Sequence, residues 1–447
     1  MYKRHFWAWF LLGLGSSFQI VASLSITEAY CLIAAPFFLM RDSSSIRKDG
    51  FNGYITVSIL LVIGCAIGCI VNHTERDFAL RGMATTSVMF CAGVVVYHYL
   101  KTQMNGLKWY FIGSALSLLL CTFIFRKFSE AGVVAAGGYG AATAEEIMSG
   151  PLFWIQRLGA FIYAPINGWY LSVPLAYSAL APLALAVFSM VTSASGRSAA
   201  LTSLAFFVVI LLGRKRQKSM HFVGKHLFLW LLLAPIALGG LNQLYRYVAR
   251  SGLLGEKSRE KYEVQTRRGM GISDLIIGGR ASSFIGIQAA LDHPIFGLGP
   301  WAKDKDGYTE RFFNKYAAYE DYVEILESNR RRIAMGLPVG LIGCHAVWLE
   351  FWVWYGSLGL LFCVYAMFVM VRYLYKDVAV IPQWYGYLAA GIPAMFWMMF
   401  FSPLTARFGF MLFIGACLMA RAVRQGRVRL PKDMEMEIAR SEGRYGA

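Results

Sequence analysis

Three residues of this chain could carry chemistry. Arg197 lies in a turn of small residues between two apolar stretches, Arg280 follows a pair of glycines, and His345 lies at the start of a later apolar stretch. A guanidinium group binds phosphate oxygens in a bidentate way, and glycines let a backbone approach a ligand closely. A histidine at an interface can act as a general base near neutral pH. These residue types predict anion binding by the two arginines and proton transfer by the histidine.

Each of the three residues also has a structural interpretation. The side chain of Arg197 can extend along the membrane edge into water, and Arg280 can pair with Asp274 or Asp292. A lone histidine at a membrane interface is more often structural than catalytic, so the spacing of His345 alone does not decide its role.

Metal and cofactor chemistry is not expected. The chain has no Walker, dinucleotide-binding, zinc-protease or nucleophile-elbow motif. Asp304 and Asp306 have the spacing of a metal-binding Asp-x-Asp pair, but they lie in a lysine-rich turn that we interpret as solvated. Seven of the eight cysteines lie inside apolar runs, where cysteine behaves as a small hydrophobic residue. We therefore predict a site without a metal or a cofactor.

The composition places these residues in a membrane protein. Hydrophobic residues make up 57% of the chain, charged residues only 15%, and the mean hydropathy is +0.49. Soluble domains have roughly 45–50% apolar and about 25% charged residues. The same figures exclude a disordered chain. The net charge of +17 lies in short segments between apolar runs, which is the positive-inside pattern, so we expect membrane lipids but no nucleic acid as partners.

The apolar runs predict the membrane crossings. A span needs about 20 mostly apolar residues. Such runs occupy residues 6–24, 25–40, 52–71, 83–100, 109–125, 196–213, 226–246, 347–371, 383–401 and 404–421. Residues 152–194 can form one pass or two. Two passes place the basic cluster 214–218 in the cytoplasm together with the N-terminus, which gives about 12 helices.

The predicted fold is therefore an all-α polytopic membrane helix bundle with one large periplasmic loop. Its four parts are N-terminal transmembrane helices at residues 1–246, the large periplasmic loop at 247–346, C-terminal transmembrane helices at 347–421, and a cytoplasmic tail at 422–447. This organisation places Arg197, Arg280 and His345 on the periplasmic side. Arg407, between the last two helices, is a weaker candidate of the same kind as Arg197.

The order of the motifs resembles a known family. The chain has Ser195-Gly-Arg197-Ser-Ala, then Gly279-Arg280, then His293-Pro-Ile-Phe-Gly-Leu-Gly299, then His345-x-x-x-Leu-Glu350 with Gly356-x-Leu-Gly359. In this order, and with this layout of helices and loop, it resembles the O-antigen ligase and O-antigen/exopolysaccharide polymerase family of bacterial membrane glycosyltransferases. It departs from the family in having Gly-Arg-Ser at the first turn, where Ser-Arg-Gly is usual, and Ala346 where an asparagine is common.

The resemblance implies a reaction and its participants. Arg197 and Arg280 would hold the diphosphate of a polyprenyl-diphosphate-linked glycan donor, and His345 would orient or deprotonate the acceptor hydroxyl. The acceptor would be lipid A-core or a growing glycan, and direct displacement would invert the anomeric centre without a metal. The protein would act on the periplasmic face of the bacterial inner membrane as a ligase or, alternatively, as a repeat-unit polymerase.

A transporter of polysaccharide or lipid-linked sugar is the alternative from another class. Transporters carry ionisable residues near the middle of several spans. The apolar runs of this chain are almost free of them, which favours the enzyme.

Overall fold

The architecture comes from a computed structural model of the 447-residue chain. It describes residues 2–21, 24–120, 247, 251, 272–315, 341–342, 344, 346–377, 380–381, 384, 388, 392, 395–400, 404 and 407–441. The predicted passes within 152–194 and the basic cluster 214–218 lie outside the described residues.

The described part of the chain is mainly helical. Its α-helices are α1 (Tyr2–Leu14), α2 (Ile26–Asp49), α3 (Asn52–Val71), α4 (Arg76–Thr102), α5 (Leu107–Leu119), α6 (Ile272–Asp292), α7 (Tyr308–Lys315), α8 (Val347–Arg372), α9 (Arg407–Arg424) and α10 (Lys432–Ser441). A short 3₁₀ turn precedes α5 at Met104–Gly106, and one π-helical segment, Tyr373–Asp377, follows α8.

Three of these helices are long and apolar enough to cross a membrane. Within the described residues they are Asn52–Val71, Arg76–Thr102 and Val347–Asp377, the last of which includes the π-helical segment. An apolar helix of this length spans a hydrocarbon core of about 30 Å. The helical membrane class predicted from composition is therefore confirmed, whereas the total of about 12 helices and the side on which the large loop lies remain predictions.

The first predicted span differs from the observed helix. Helix α1 ends at Leu14, and the apolar residues that follow form an antiparallel hairpin of β1 (Gln19–Val21) and β2 (Leu24–Ser25). Helix α2 then begins with a capping box, in which Ser25 and Glu28 bond to each other's backbone N–H groups. These reciprocal bonds satisfy two N–H groups at the helix start, so they favour a new helix here over a continuous one.

Small residues allow the helices to pack closely. Helices α1 and α5 cross where Gly13 lies on the backbone of Tyr110 and Gly113 lies on the backbone of Phe10. A side chain at either glycine would meet main-chain atoms, so the glycines set the distance between the helices. Trp9 of α1 is fully buried and donates its indole N–H to the Gln103 carbonyl at 2.8 Å.

The helices end at two opposite ends of the bundle. We call one the Asn72 end, because Asn72 in the turn between α3 and α4 bonds there to Gly297, which packs on the first half of α8. Glu28 near the start of α2 pairs with Arg407 at the start of α9. The other end is the Asp49 end, where Asp49 bonds to Tyr97 and Lys101 of α4 at 2.6 and 2.8 Å. At that end Arg424 of α9 contacts Asp377, and Arg427 lies against Gly50. These contacts place residues that are far apart in sequence at the same end.

Candidate functional site

The structure places the helix that carries Arg280 beside the neighbours of His345. Arg280 lies in α6, whereas Arg197 and His345 lie outside the described residues. Further along α6, a Cβ atom at Gly286 would lie 2.8 Å from Cys344 Sγ, which belongs to the residue just before His345. Six residues of α-helix span about 9 Å. The described backbone therefore brings the segments of Arg280 and His345 to one end of α8.

The segment 293–299 is joined to α8 by main-chain hydrogen bonds. The Leu298 N–H donates to the Val353 carbonyl at 2.6 Å, and the Ser357 N–H donates to the Ile295 carbonyl at 3.0 Å. In addition, the Trp352 indole donates to the Pro294 carbonyl at 3.2 Å. Two motifs about 60 residues apart in sequence thus form one structural unit.

A break in α8 makes these bonds possible. Gly356 has φ +62° and ψ −149°, which is a non-helical conformation inside the helix. A side chain there would meet the main chain of Ile295, so both the backbone angle and the close contact require glycine. The break exposes helix carbonyl and N–H groups, which would be costly in lipid without partners. The segment 293–299 supplies those partners.

Asn72 holds the same unit from the other side. Its side-chain amide donates to the Gly68 carbonyl at 2.8 Å and to the Gly297 carbonyl at 3.1 Å. Lys303 forms an ion pair with Glu75, which lies in the same turn and directly precedes α4. The turn between α3 and α4 therefore fixes the segment 293–303 at the Asn72 end.

Three buried polar atoms of α8 have no hydrogen-bond partner in the described part of the chain. They are Glu350 Oε2, Trp354 Nε1 and Tyr355 Oη, and we call them the open polar cluster. Tyr355 is fully buried and Trp354 is 9% exposed. An unmet buried polar group costs about 1–3 kcal/mol, so these atoms are suited to hydrogen-bond a ligand or ordered water.

Aromatic rings border the open polar cluster. The Trp301 ring stacks on Trp354 with centroids 4.7 Å apart and an angle of 28° between the planes, and Trp301 adopts a φ of +51°. Trp348 and Trp352 lie one turn apart at the start of α8, and Phe296 is exposed nearby. Tryptophan concentrates at membrane–water interfaces, where its ring is apolar and its N–H can reach a polar partner.

Arg407 forms an ion pair with Glu28. Its guanidinium group binds both carboxylate oxygens of Glu28, with Nε 2.7 Å from Oε1 and Nη2 3.0 Å from Oε2, and it donates to Thr85 Oγ1 at 3.0 Å. Glu28 is only 5% exposed. Because the carboxylate already neutralises this arginine, Arg407 is a poor candidate for binding a diphosphate.

Asp304 also has a structural role, and the interpretation of its turn as solvated is wrong for this residue. Its carboxylate is buried and accepts the backbone N–H groups of Tyr308 and Thr309 at 2.7 and 2.8 Å, so it caps α7. Asp306, by contrast, is exposed and lies 3.6 Å from His293. Within the described residues, no group of three histidine, cysteine or acidic side chains is placed to hold a metal ion.

Cys344 is the one cysteine that the sequence places near an aqueous edge. Burial raises the pKa of the Cys344 thiol well above its ordinary value, and the nearby Glu350 charge adds to the effect. Since the thiolate is the reactive form, this cysteine is not suited to act as a nucleophile.

Comparison with known proteins adds no family to this description. No protein-family model, no curated protein and no solved structure matches the chain.

Sequence reasoning missed the open polar cluster. One signal was present, because Glu350 is an acidic residue at the start of an apolar run, which is a default functional candidate in a membrane helix.

Proposed function

We propose that the chain is a membrane glycosyltransferase that transfers a polyprenyl-diphosphate-linked glycan to an acceptor hydroxyl. The reaction takes place at the Asn72 end, which faces the periplasm, in the inner membrane of a bacterium. Arg197 and Arg280 bind the donor diphosphate, and His345 orients or deprotonates the acceptor. No metal takes part, because two guanidinium forks neutralise the leaving diphosphate.

The observation that carries this proposal is the convergence of separate motifs on the first half of α8. Helix α6 with Arg280 packs beside Cys344 and Leu349 near the start of α8, and the segment 293–299 packs on the same helix where Gly356 breaks it. The open polar cluster lies at the same place, and its donors and acceptors suit a hydroxyl-rich ligand such as a sugar.

Charge supports the orientation. At the Asp49 end basic residues outnumber acidic ones, and positive charge in short segments marks the cytoplasmic side. These basic residues are Arg47, Lys48, Lys101, Lys108, Arg372, Lys376, Arg421, Arg424, Arg427, Arg429 and Lys432. This distribution supports an orientation in which the Asn72 end faces the periplasm. A reporter active only in the periplasm should signal from Tyr308 and stay silent at Gln217, and the opposite result would contradict this orientation.

Transfer by purified protein in lipid nanodiscs tests the chemistry. Arg197→Ala and Arg280→Ala should each abolish most transfer while the protein stays folded in the membrane. Lysine at either position should restore little, because a point charge does not reproduce the bidentate fork. Arg311→Ala is the matched control, since Arg311 is exposed and lies 4.0 Å from Asp292 in the same loop. Full activity of Arg280→Ala would overturn the diphosphate clamp.

The histidine and the absence of a metal are tested in the same assay. His345→Ala should lower the rate by about 10²–10⁴-fold while donor binding persists, because a general base contributes in that range. Activity should persist with a chelator present. Loss of activity in chelator that magnesium or manganese restores would contradict the metal-free mechanism.

Ligase and polymerase activities differ in their product. In a deletion strain, loss of glycan chains from lipid A-core with accumulation of lipid-linked polymer indicates a ligase, the first candidate. Single repeat units on the core indicate a polymerase instead. A transporter, the candidate from another class, would move lipid-linked sugar across a vesicle membrane without transferring it.

A further inference from the structure

We propose that the Asp49 ends of α8 and α9 form a binding site for the phosphate headgroup of an anionic phospholipid. The site lies at the opposite end of the bundle from the open polar cluster. It does not depend on the glycosyltransferase proposal, because no residue is shared between the two.

The first observation is an excess of positive charge around one carboxylate. Asp377 ends the π-helical segment and is 1% exposed, and Arg424 Nε lies 2.5 Å from its Oδ1. Arg372, Arg421 and Lys376 also act on this carboxylate electrostatically, and Arg427 acts on Arg421. Among the described residues, four cations therefore lie near a single acidic group. Like charges held this closely repel one another, so the arrangement favours an added anion.

The second observation is a donor without an acceptor. The Nε atom of Arg372 is buried and has no hydrogen-bond partner in the described part of the chain. The Arg372 side chain as a whole is partly exposed, so an anion at the surface can approach it, and phosphate oxygens match the planar fork of a guanidinium group. Surface arginines that only satisfy the positive-inside rule would instead extend into water.

The third observation is an apolar stripe that leads to these arginines. Along α8 and the segment after it, large apolar side chains are exposed at spacings of three and four residues, which places them on one helix face. They are Leu361, Val364, Phe368, Val371 and Tyr375, between 41% and 56% exposed. Lys376 lies over the Tyr375 ring at 5.8 Å. An acyl chain can lie along this stripe while its phosphate reaches the arginines.

The stripe distinguishes a lipid from a free anion. Basic pockets between membrane helices on the cytoplasmic side bind anionic headgroups. A free phosphate would use the arginines alone, whereas a phospholipid uses both the arginines and the stripe. The charge and the apolar face together therefore assign an anionic phospholipid as the occupant.

Lipid binding to the purified full-length protein tests the site. The probes are dioleoyl phosphatidylglycerol, the zwitterionic dioleoyl phosphatidylcholine, the acyl-free glycerophosphoglycerol headgroup and inorganic phosphate. Phosphatidylglycerol should raise the melting temperature of the wild type, and the other three should not. Arg372→Gln/Arg421→Gln should weaken phosphatidylglycerol binding at least tenfold in native mass spectrometry. Arg429→Gln, an exposed basic residue at the same end, should bind as the wild type does.

A second variant keeps the test decisive if the double arginine variant loses stability. Phe368→Asn changes only an exposed side chain of the stripe, so it should fold normally yet bind phosphatidylglycerol more weakly. Equal preference for phosphatidylglycerol in the wild type and both variants would overturn the proposal. So would stabilisation of the wild type by inorganic phosphate or free headgroup to the same extent, which would make the site one for a free anion.

Discussion

Buried polar groups on helix α4 have hydrogen-bond or ion-pair partners, whereas several on helix α8 have none. On α4, Thr85 accepts from Arg407, His98 Nδ1 lies 2.6 Å from Asp42, and the Tyr97 hydroxyl donates to Asp49. The His98 ring also stacks on Phe38 with centroids 3.8 Å apart. On α8, by contrast, polar atoms near both ends are buried without partners: Glu350 Oε2, Trp354 Nε1, Tyr355 Oη and Arg372 Nε.

This difference separates structural polar groups from binding groups. A paired group stabilises the fold and has no capacity left for a ligand, whereas an unpaired group costs stability until a ligand supplies its partner. We therefore expect substitution of the paired polar groups around α4 to change stability, and substitution of the unpaired polar groups on α8 to change binding and activity. The following predictions test that division, from the largest expected effect to the smallest.

The largest effect is expected for Arg407→Ala. This change leaves Glu28 buried without its counter-charge, and breaking a buried ion pair from one side costs about 3–5 kcal/mol. Thermal unfolding in nanodiscs should show a large fall in melting temperature. Arg407→Met combined with Glu28→Leu removes both charges and should recover much of the loss. Normal stability of Arg407→Ala with loss of transfer would instead make Arg407 a site residue.

The next effect is expected for Gly356→Ala. A side chain at this φ of +62° is strained and also meets the main chain of Ile295, so we expect a loss of about 1–3 kcal/mol and most of the transfer activity. Gly307→Ala is the matched control. Gly307 has a φ of +71° with no atom within 4 Å of the added Cβ. Equal losses from the two variants would show that strain alone, and not the junction with the segment 293–299, accounts for the effect.

A pair of tyrosines, one on α3 and one on α8, makes the same comparison between a paired and an unpaired polar group. Tyr54 and Tyr355 are both fully buried, but the Tyr54 hydroxyl donates to the Met411 carbonyl at 2.8 Å and the Tyr355 hydroxyl has no partner in the described structure. Tyr54→Phe should lower the free energy of unfolding by about 1 kcal/mol and leave transfer unchanged. Tyr355→Phe should leave stability unchanged and lower transfer about tenfold, the loss of one hydrogen bond of about 1.4 kcal/mol to the ligand. Kinetic and unfolding measurements that gave the reverse result would contradict the proposal that the open polar cluster binds the ligand.

The smallest effect concerns pH and the loop segment before α8. Burial and then the neighbouring Asp292 raise the pKa of Tyr308 to about 12. In an unfolded chain tyrosine has a pKa of about 10. The stability that Tyr308 contributes is therefore fully present below pH 10 and is lost as the pH rises through 12. Unfolding of wild type and Tyr308→Phe at pH 9 and 11.5 measures this, and an equal pH slope in both proteins would contradict it.

Much of the helical framework could be predicted from hydropathy. The predicted span 52–71 matches α3, and 347–371 matches α8 closely. Helix α4 extends beyond the predicted 83–100 because its ends carry charged residues that hydropathy excludes. The hairpin after α1 was missed, since Ile20 and Val21 continue the apolar run and composition does not distinguish strand from helix over so few residues.

Less of the site could be predicted from the sequence. The motifs around Arg280, segment 293–299 and Gly356 were recognised, but their contacts depend on long-range packing that spacing does not contain. The pairing of Arg407 with Glu28, which are 379 positions apart, is of the same kind. The open polar cluster could not be predicted either, because whether a buried hydroxyl has a partner depends on the positions of all its neighbours.

The break at Gly356 also has a consequence for the biogenesis of the protein. The Ser357 N–H and the Val353 carbonyl receive their partners from residues 295 and 298, which leave the ribosome before α8 does. Because each unsatisfied backbone group in hydrocarbon costs several kcal/mol, the first half of α8 is poorly suited to enter lipid by itself. We therefore expect insertion of this helix to be completed only when the segment 293–299 has docked on it.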